Sequence, residues 1–308
     1  MITPLFHVTA LHSLFLQGIA LGAKLVLMYK WNADEAVKLI QHEGITRFVG
    51  VPTQSADLIA AAEKSGGDLS SLETVGAGGA KRPASQVGEI SRRFPAASPA
   101  SGWGMTETNS LGILISGPDY VANPEAAGRV TPPLQEMRIV DASNREVATG
   151  EVGELTVRSP ANMRGYLNLP EETASTLRDG WLYTGDLARM DETGLIYIVD
   201  RKKSIIIRGG ENISCLEVEG ALHDHPAVAE ACVFPVPDQR LGEIVGAAIY
   251  LRDGASADQD DILTVLGRKL AAFKLPEKLW FRDEPLPRGG TGKLDRKTLQ
   301  RLCKDSTE

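Results

Sequence analysis

The chain has 308 residues, 43% of them hydrophobic and 24% charged, with a formal net charge of −7; this is the make-up of an ordinary globular protein of about two domains rather than a disordered or fibrous one. The negative balance disfavours a general nucleic-acid binder, so anionic ligands must be met by local cationic spots. Cys215, Cys232 and Cys303 are odd in number and lack metal-ligand spacing, which argues for neither a disulfide framework nor a zinc site and fits a reducing cytoplasm.

Residues 1–6 read as the end of a strand. The apolar run over 11–28 is interrupted by His12, Gln17 and Lys24, holds two glycines and lacks a cationic start or cleavage site, so it is predicted neither to span a membrane nor to act as a leader. A strand is predicted over 24–28. Asn32 and Glu35 then form a capping-box pattern for a helix whose apolar face is Ala33, Ala36, Val37 and Ile40, and Gly44 stops it. A strand over 47–51 completes a βαβ unit, which favours a parallel sheet covered by helices. Pro52-Thr53 opens a helix over 54–62.

A short strand over 73–75, a turn Gly76-Ala77-Gly78-Gly79-Ala80 and a helix over 83–93 follow. Lys81 stands where the dinucleotide fingerprint needs its third glycine, so that site is disfavoured, and close backbone packing and ligand contact stay open as readings. In Gly102-Trp103-Gly104-Met105-Thr106-Glu107-Thr108 one loop offers an aromatic face, hydroxyls and a carboxylate able to ligate magnesium; a capped loop is the other reading.

From 136 to 199 the pattern is mostly β, with strands over 136–140, 153–158 and 194–199, predicting a small antiparallel sheet or barrel. Gly180-Trp181-Leu182-Tyr183-Thr184-Gly185-Asp186 sets an aspartate after a tight turn, where it could accept a vicinal diol or close an Asx turn. Asp200-Arg201-Lys202-Lys203 is too polar for a buried strand and reads as an exposed interdomain turn able to act as a hinge. Beyond it come a strand over 204–207, the flexible pair Gly209-Gly210, a helix over 216–222, strands over 227–234 and 244–251, and a helix over 257–272 capped by Ser256 and Gln259. His223 and His225 read as solvated.

Pro287-Arg288-Gly289-Gly290-Thr291-Gly292-Lys293-Leu294 is not a phosphate loop, because the first glycine would fall on Pro287 and Leu294 stands where Ser or Thr is required. It leaves Lys293 on a glycine-rich loop, suited to entering and leaving a site, or simply a flexible surface loop.

Taken in order, Pro4-Leu5-Phe6-His7 and the motifs over 76–80, 102–107, 153–166, 181–186, 200–219 and 287–296 resemble the adenylate-forming, AMP-binding superfamily, specifically the acyl-CoA synthetases or fatty-acid–CoA ligases. The resemblance implies an α/β fold: a partial large AMP-binding domain over 1–200, with a helix-covered parallel sheet to 130 and a mostly β, barrel-like region over 131–200. A small mobile α+β domain over 201–308 follows. It implies activation of a carboxylic acid, expected to be fatty or aryl, by ATP to acyl-AMP and transfer to coenzyme A, with magnesium. By the same resemblance Glu107 binds the metal and Thr106 a phosphate, and Trp103 with Gly78, Gly79 and Ala80 holds the adenine. Asp186 takes the ribose hydroxyls, assisted by Arg201, while Lys293 bridges the substrate carboxylate and α-phosphate. His7 borders the acyl pocket, Lys203 is the hinge, and Gly209, Gly210 and Glu211 line the coenzyme A channel.

Two departures qualify the resemblance. The family's Ser/Thr/Gly-rich loop ending in lysine, which precedes the His7 motif and holds the outer ATP phosphates, has no counterpart here, so a truncated form impaired in adenylation is expected. Ser214-Cys215 stand where relatives commonly carry an aromatic residue and proline, which puts the coenzyme A channel in doubt. Competing readings are a carrier-protein-loading adenylation domain and a non-catalytic nucleotide- or acyl-binding remnant. The expected partners are a carboxylic acid and coenzyme A, with no nucleic acid, no integral membrane segment, a cytoplasmic location and scope for a homodimer of the full-length enzyme.

Overall fold

A computed structural model describes every residue except Pro132, Thr291 and Ser306–Glu308. Thr291, within the glycine-rich stretch before Lys293, thus lies outside the described residues. Backbone contacts divide the chain into two compact units: Met1–Thr184 with Ala188–Ile198, and Gly185–Leu187 with Val199–Glu308.

The first unit contains a five-stranded sheet in the order Arg47–Gly50, Thr74–Gly78, Ser98–Trp103, Ile113–Ser116, Arg129–Val130. The first three strands run parallel and the last two are added antiparallel. Parallel neighbours need crossover connections, and the helices Pro52–Ser65 and Ala84–Arg93 supply them. Helix Ala33–Glu43 starts where the Asn32 side chain accepts the Glu35 N–H at 2.9 Å and stops at Gly44, whose φ is +59°. Val37, Ile40, Leu58, Leu72, Val75 and Ile90 fill the space between helices and sheet.

Three expectations for this half change. No strand forms over 24–28 or 1–6; instead the Met28 N–H donates to the Met1 carbonyl at 2.9 Å and the Met1 amino group reaches the Val26 carbonyl, an extended contact too short for a ladder. Residues 8–20 are helical, with a π-helical middle over Leu11–Leu16. Strand Thr74–Gly78 also runs straight through Gly76-Ala77-Gly78 rather than turning there. Room at Gly76 is tight, because a Cβ there would lie 3.0 Å from the Val49 side chain on the neighbouring strand.

A second sheet, ordered Ile196–Arg201, Trp181–Met190, Gly153–Arg158, Glu136–Val140, carries the strand-rich region; Leu177–Arg178 pairs with the start of Trp181–Met190. Its 136–140 and 153–158 strands fall where the sequence pattern placed them.

The second unit is built on a sheet ordered Glu211–Ser214, Ile205–Arg208, Gly242–Leu251, Val228–Asp238, with Lys278–Arg282 parallel to Gly242–Leu251. Strand Val228–Asp238 is apolar on both sides: Ala231 and Val233 join one core with Val218, Leu222, Ile262 and Leu266, while Cys232 and Phe234 join another with Leu286, Leu299 and Cys303. Two covered faces explain why its hydrophobic run does not alternate with polar residues.

The helix expected over 257–272 is only Gln259–Leu266, because Asp258, not Ser256, caps it by accepting the Asp261 N–H at 2.9 Å, and Gly267 ends it. His225 is buried rather than solvated, its Nδ1 accepting the Ala227 N–H at 3.2 Å. The architecture is α/β, a large unit with a parallel-strand core and a strand-rich region followed by a smaller α+β unit. Among the described residues no helix is long and apolar enough to cross a membrane.

Candidate active site

In the first unit Gly78 and Trp103 sit at the carboxyl ends of neighbouring parallel strands, where open α/β sheets bind ligands. Gly78 pairs with Gly102, and Gly79 leaves the strand with φ +80°, a conformation that suits glycine. Gly79 and Ala80 are exposed. His7 caps the first helical turn, its Nδ1 accepting the Thr9 N–H at 3.3 Å, and Thr9 approaches the space above Gly78. The same helical stretch is tied to the next loop, with His12 Nδ1 3.2 Å from the Asn109 carbonyl and Ser13 Oγ 2.6 Å from Ser110 Oγ. The structure therefore gathers His7, Gly78 to Ala80, Trp103 and the 106–110 loop on one side of the unit.

Thr106–Thr108 forms one 3₁₀ turn, with Thr106 exposed and Glu107 half-buried. Sequence reasoning passed over what holds Glu107. Tyr166 donates its hydroxyl hydrogen to Glu107 Oε1 at 2.8 Å, the Met163 N–H donates to the Glu107 carbonyl at 2.8 Å, and Asn109 Nδ2 donates to the Ala161 carbonyl at 2.7 Å. Burial, reinforced by the hydrogen bond and the charge of Glu107, raises the Tyr166 pKa, so Tyr166 stays a neutral donor. Its signal lay within the 153–166 motif, as the Tyr of Gly165-Tyr166-Leu167-Asn168. Among the described residues no three His, Cys, Asp or Glu side chains converge as a metal cage. A single accessible carboxylate is nevertheless a donor set that fits magnesium, which binds through one or two carboxylates plus substrate phosphates.

The second unit brings together Asp186, Arg201 and Lys293. Asp186 lies inside the ten-residue strand Trp181–Met190 and not after a turn, which removes the Asx-turn reading. Gly185, with φ +72°, breaks the regular strand geometry just before it. The Asp186 side chain is only 9% exposed, and Arg201 Nε lies 3.2 Å from its Oδ1 while the arginine itself stays largely in solvent. The Lys293 pKa is lowered by burial and by the Arg201 cation, against an opposing pull from Asp186, so these three charges sense one another.

The polar turn at the start of this unit is not uniformly exposed. Asp200 is 2% exposed, accepting hydrogen bonds from the Arg201 N–H at 2.6 Å, Ser214 Oγ at 2.9 Å and the Leu216 N–H at 3.1 Å. A carboxylate can be buried there because it finds these donors. Lys203 remains exposed, in the single turn Lys202–Ser204. Gly209 and Gly210, at φ +57° and +92°, make the two-residue turn of a hairpin in which Arg208 faces Glu211. Glu211 is exposed beside it. Cys215 is fully buried, its thiol donates to the Ser204 carbonyl at 2.9 Å, and burial pushes its pKa up, so it is an inert core residue.

The chain matches the family model described as AMP-binding enzyme over residues 1–167 and that described as AMP-binding enzyme C-terminal domain over residues 217–293. It is 37% identical over 291 residues to a feruloyl-CoA synthase of Amycolatopsis sp, covering 94% of this chain and 58% of that protein. It is also 37% identical over 313 residues to a long-chain-fatty-acid–CoA ligase of Bacillus subtilis, covering 100% of this chain and 54% of the relative. Among solved structures, o-succinylbenzoate CoA synthetase (MenE) from Bacillus subtilis, in complex with the acyl-adenylate intermediate OSB-AMP, superposes with a TM-score of 0.85 at 30% identity, covering 97% of this chain and 60% of that one. The chain thus spans little more than half the length of the curated relatives it matches.

Proposed function

The chain belongs to the AMP-binding enzyme family of adenylate-forming acid–CoA ligases, and on that premise we propose that it carries the acyl-adenylate site and thioester-forming unit of an acyl-CoA synthetase for a fatty or aryl acid. The observation that carries this reading is the Asp186–Arg201 pair with Lys293 within its electrostatic reach. A carboxylate can accept two hydroxyl hydrogens at once, which matches a ribose diol. A partly desolvated ammonium interacts more strongly with negative charge developing between a carboxylate and a phosphate than an exposed one does.

In this reading Trp103 and the Gly78–Gly79–Ala80 backbone flank the adenine, Asp186 with Arg201 orients the ribose, and Lys293 bridges the acid's carboxylate and the α-phosphate. His7 borders the acyl pocket and Thr106 donates to phosphate. Glu107, oriented by Tyr166, is the magnesium ligand; the ion, when bound, supplies positive charge that offsets the phosphates. Lys203 is the pivot on which the second unit turns between adenylation and thioester formation, and the hairpin of Gly209, Gly210 and Glu211 lines the approach of the coenzyme A thiol. In the same reading the protein works in the cytoplasm, with scope for dimerisation, and a chain without a phosphate-binding loop is impaired in adenylation. Supporting the reading, the solved relative holds an acyl-adenylate.

The test supplies preformed acyl-adenylates and coenzyme A, and in parallel MgATP with a panel of fatty and aryl acids, following thioester by mass spectrometry. The expected result is thioester from preformed adenylate and coenzyme A, with little thioester from MgATP and free acid. Transfer only to a carrier protein would replace this reading by a carrier-loading one, and no transfer to either acceptor would leave a binding remnant.

A further inference from the structure

Lys293 sits on a small hairpin that another pair of side chains holds closed. Arg288 and Leu294 face each other as an antiparallel bridge. The Gly289 N–H donates to the Lys293 carbonyl at 2.9 Å, the Gly292 N–H to the Gly289 carbonyl at 2.9 Å, and the Asp295 N–H to the Pro287 carbonyl at 2.8 Å. A hairpin this short is marginal by itself, and its glycines raise the entropy lost on ordering it.

The Arg288 guanidinium reaches two acceptors at once, Glu230 Oε1 at 2.6 Å and the Gly292 carbonyl at 2.9 Å. The other Glu230 oxygen accepts the Leu286 N–H at 2.8 Å, which fixes the chain as it enters the loop. Glu230 belongs to strand Val228–Asp238, paired along its length with Gly242–Leu251. The two side chains are only 16% and 26% exposed, so this charged pair is better shielded from water than an ordinary surface ion pair.

We propose that Glu230 and Arg288 are positioning residues that clamp the Lys293 loop to the sheet and so fix where the Lys293 amine stands during adenylate formation. A lysine on a four-carbon stem is a point charge with little directional preference, so the placement of its backbone decides where the charge acts. Arginine suits the clamp because one rigid fork can meet a carboxylate and a backbone carbonyl together, which an ammonium does less well. The catalytic part of the inference rests on the reading of Lys293 given above; the clamp does not.

Arg288→Lys and Glu230→Gln in the full chain test it. Arg288→Lys keeps the local charge, so it separates loss of the fork from loss of a cation. Amide exchange at Gly289, Gly292 and Asp295 is measured together with the pH profile of Lys293 acylation by acetic anhydride, read by mass spectrometry. The expected result is exchange about tenfold faster at these amides in both variants, as losing one charge-assisted hydrogen bond implies. The Lys293 labelling midpoint is expected to rise towards that of an exposed lysine as the amine becomes more solvated, with the melting temperature of the unit nearly unchanged. Exchange and labelling equal to those of the parent chain in both variants would overturn the clamp. A moved labelling profile, combined with unchanged affinity for an acyl-adenylate mimic in Lys293→Ala, would keep the clamp and remove the catalytic role of Lys293.

Discussion

Replacing Asp200 with alanine should loosen the second unit at its first helix. Asp200 is 2% exposed and accepts three hydrogen bonds, two of them from residues beyond the turn Lys202–Ser204, Ser214 and Leu216. Ser214 has a second acceptor, the Val199 carbonyl at 2.9 Å, so its hydroxyl hydrogen still has a partner in the variant. The Leu216 N–H belongs to the first turn of helix Cys215–His223 and loses its acceptor. A hydrogen bond to a charged group contributes about 1.5–3 kcal/mol, and a negative charge at a helix N-terminus adds a few tenths to about 1 kcal/mol. The expected cost of Asp200→Ala is therefore about 3 kcal/mol. Asp200→Asn, whose amide oxygen can still meet the Leu216 N–H, should cost about half of that. Native-state hydrogen exchange of peptides covering 211–223 reads this opening energy directly, as amides exchanging roughly a hundredfold faster in Asp200→Ala. A change smaller than about 0.5 kcal/mol would mean that the buried carboxylate does not tie helix Cys215–His223 to strand Ile196–Arg201.

Two further outcomes are expected. Tyr166→Phe removes the hydrogen bond that orients Glu107; it should leave metal-free ATP binding unchanged but reduce the magnesium-dependent gain in affinity several-fold, and equal losses with and without magnesium would contradict the orienting role. His223 has its pKa lowered by burial and then by the Arg252 cation, so the unfolded chain takes up the proton first. Its contribution to stability is full above the unfolded value of about 6.5 and is lost as pH falls through the lower folded value. The urea midpoint of the second unit should thus fall more between pH 7 and 5 in the parent chain than in His223→Gln, and parallel curves would contradict it.

Helix Ala33–Glu43 was legible because cap, apolar face and terminal glycine all point the same way. Strand Thr74–Gly78 was legible only at its start, since Gly76 and Gly78 carry turn propensity that pairing within the sheet overrides. Asp200 was misplaced for a related reason: a charged run is scored as solvated, and only the fold reveals donors at Ser214 and Leu216, more than a dozen residues away. Lys293 and Glu107 could be singled out by loop chemistry and family resemblance. Their supports could not, because Glu230 meets Arg288 across 58 residues and Tyr166 meets Glu107 across 59, separations that no local periodicity encodes.

The central claim is that Asp186 belongs to a nucleotide site carried by this chain, and calorimetric titration with AMP and a non-hydrolysable acyl-adenylate mimic tests it most directly. If Asp186 accepts both ribose hydroxyls as proposed, removing its charge weakens two charge-assisted hydrogen bonds, so Asp186→Asn should bind roughly ten- to a hundredfold more weakly. Lys64→Ala, on an exposed helical position, should bind as the parent does. Absence of binding to the folded parent chain, or equal affinity in folded Asp186→Asn, would contradict the claim.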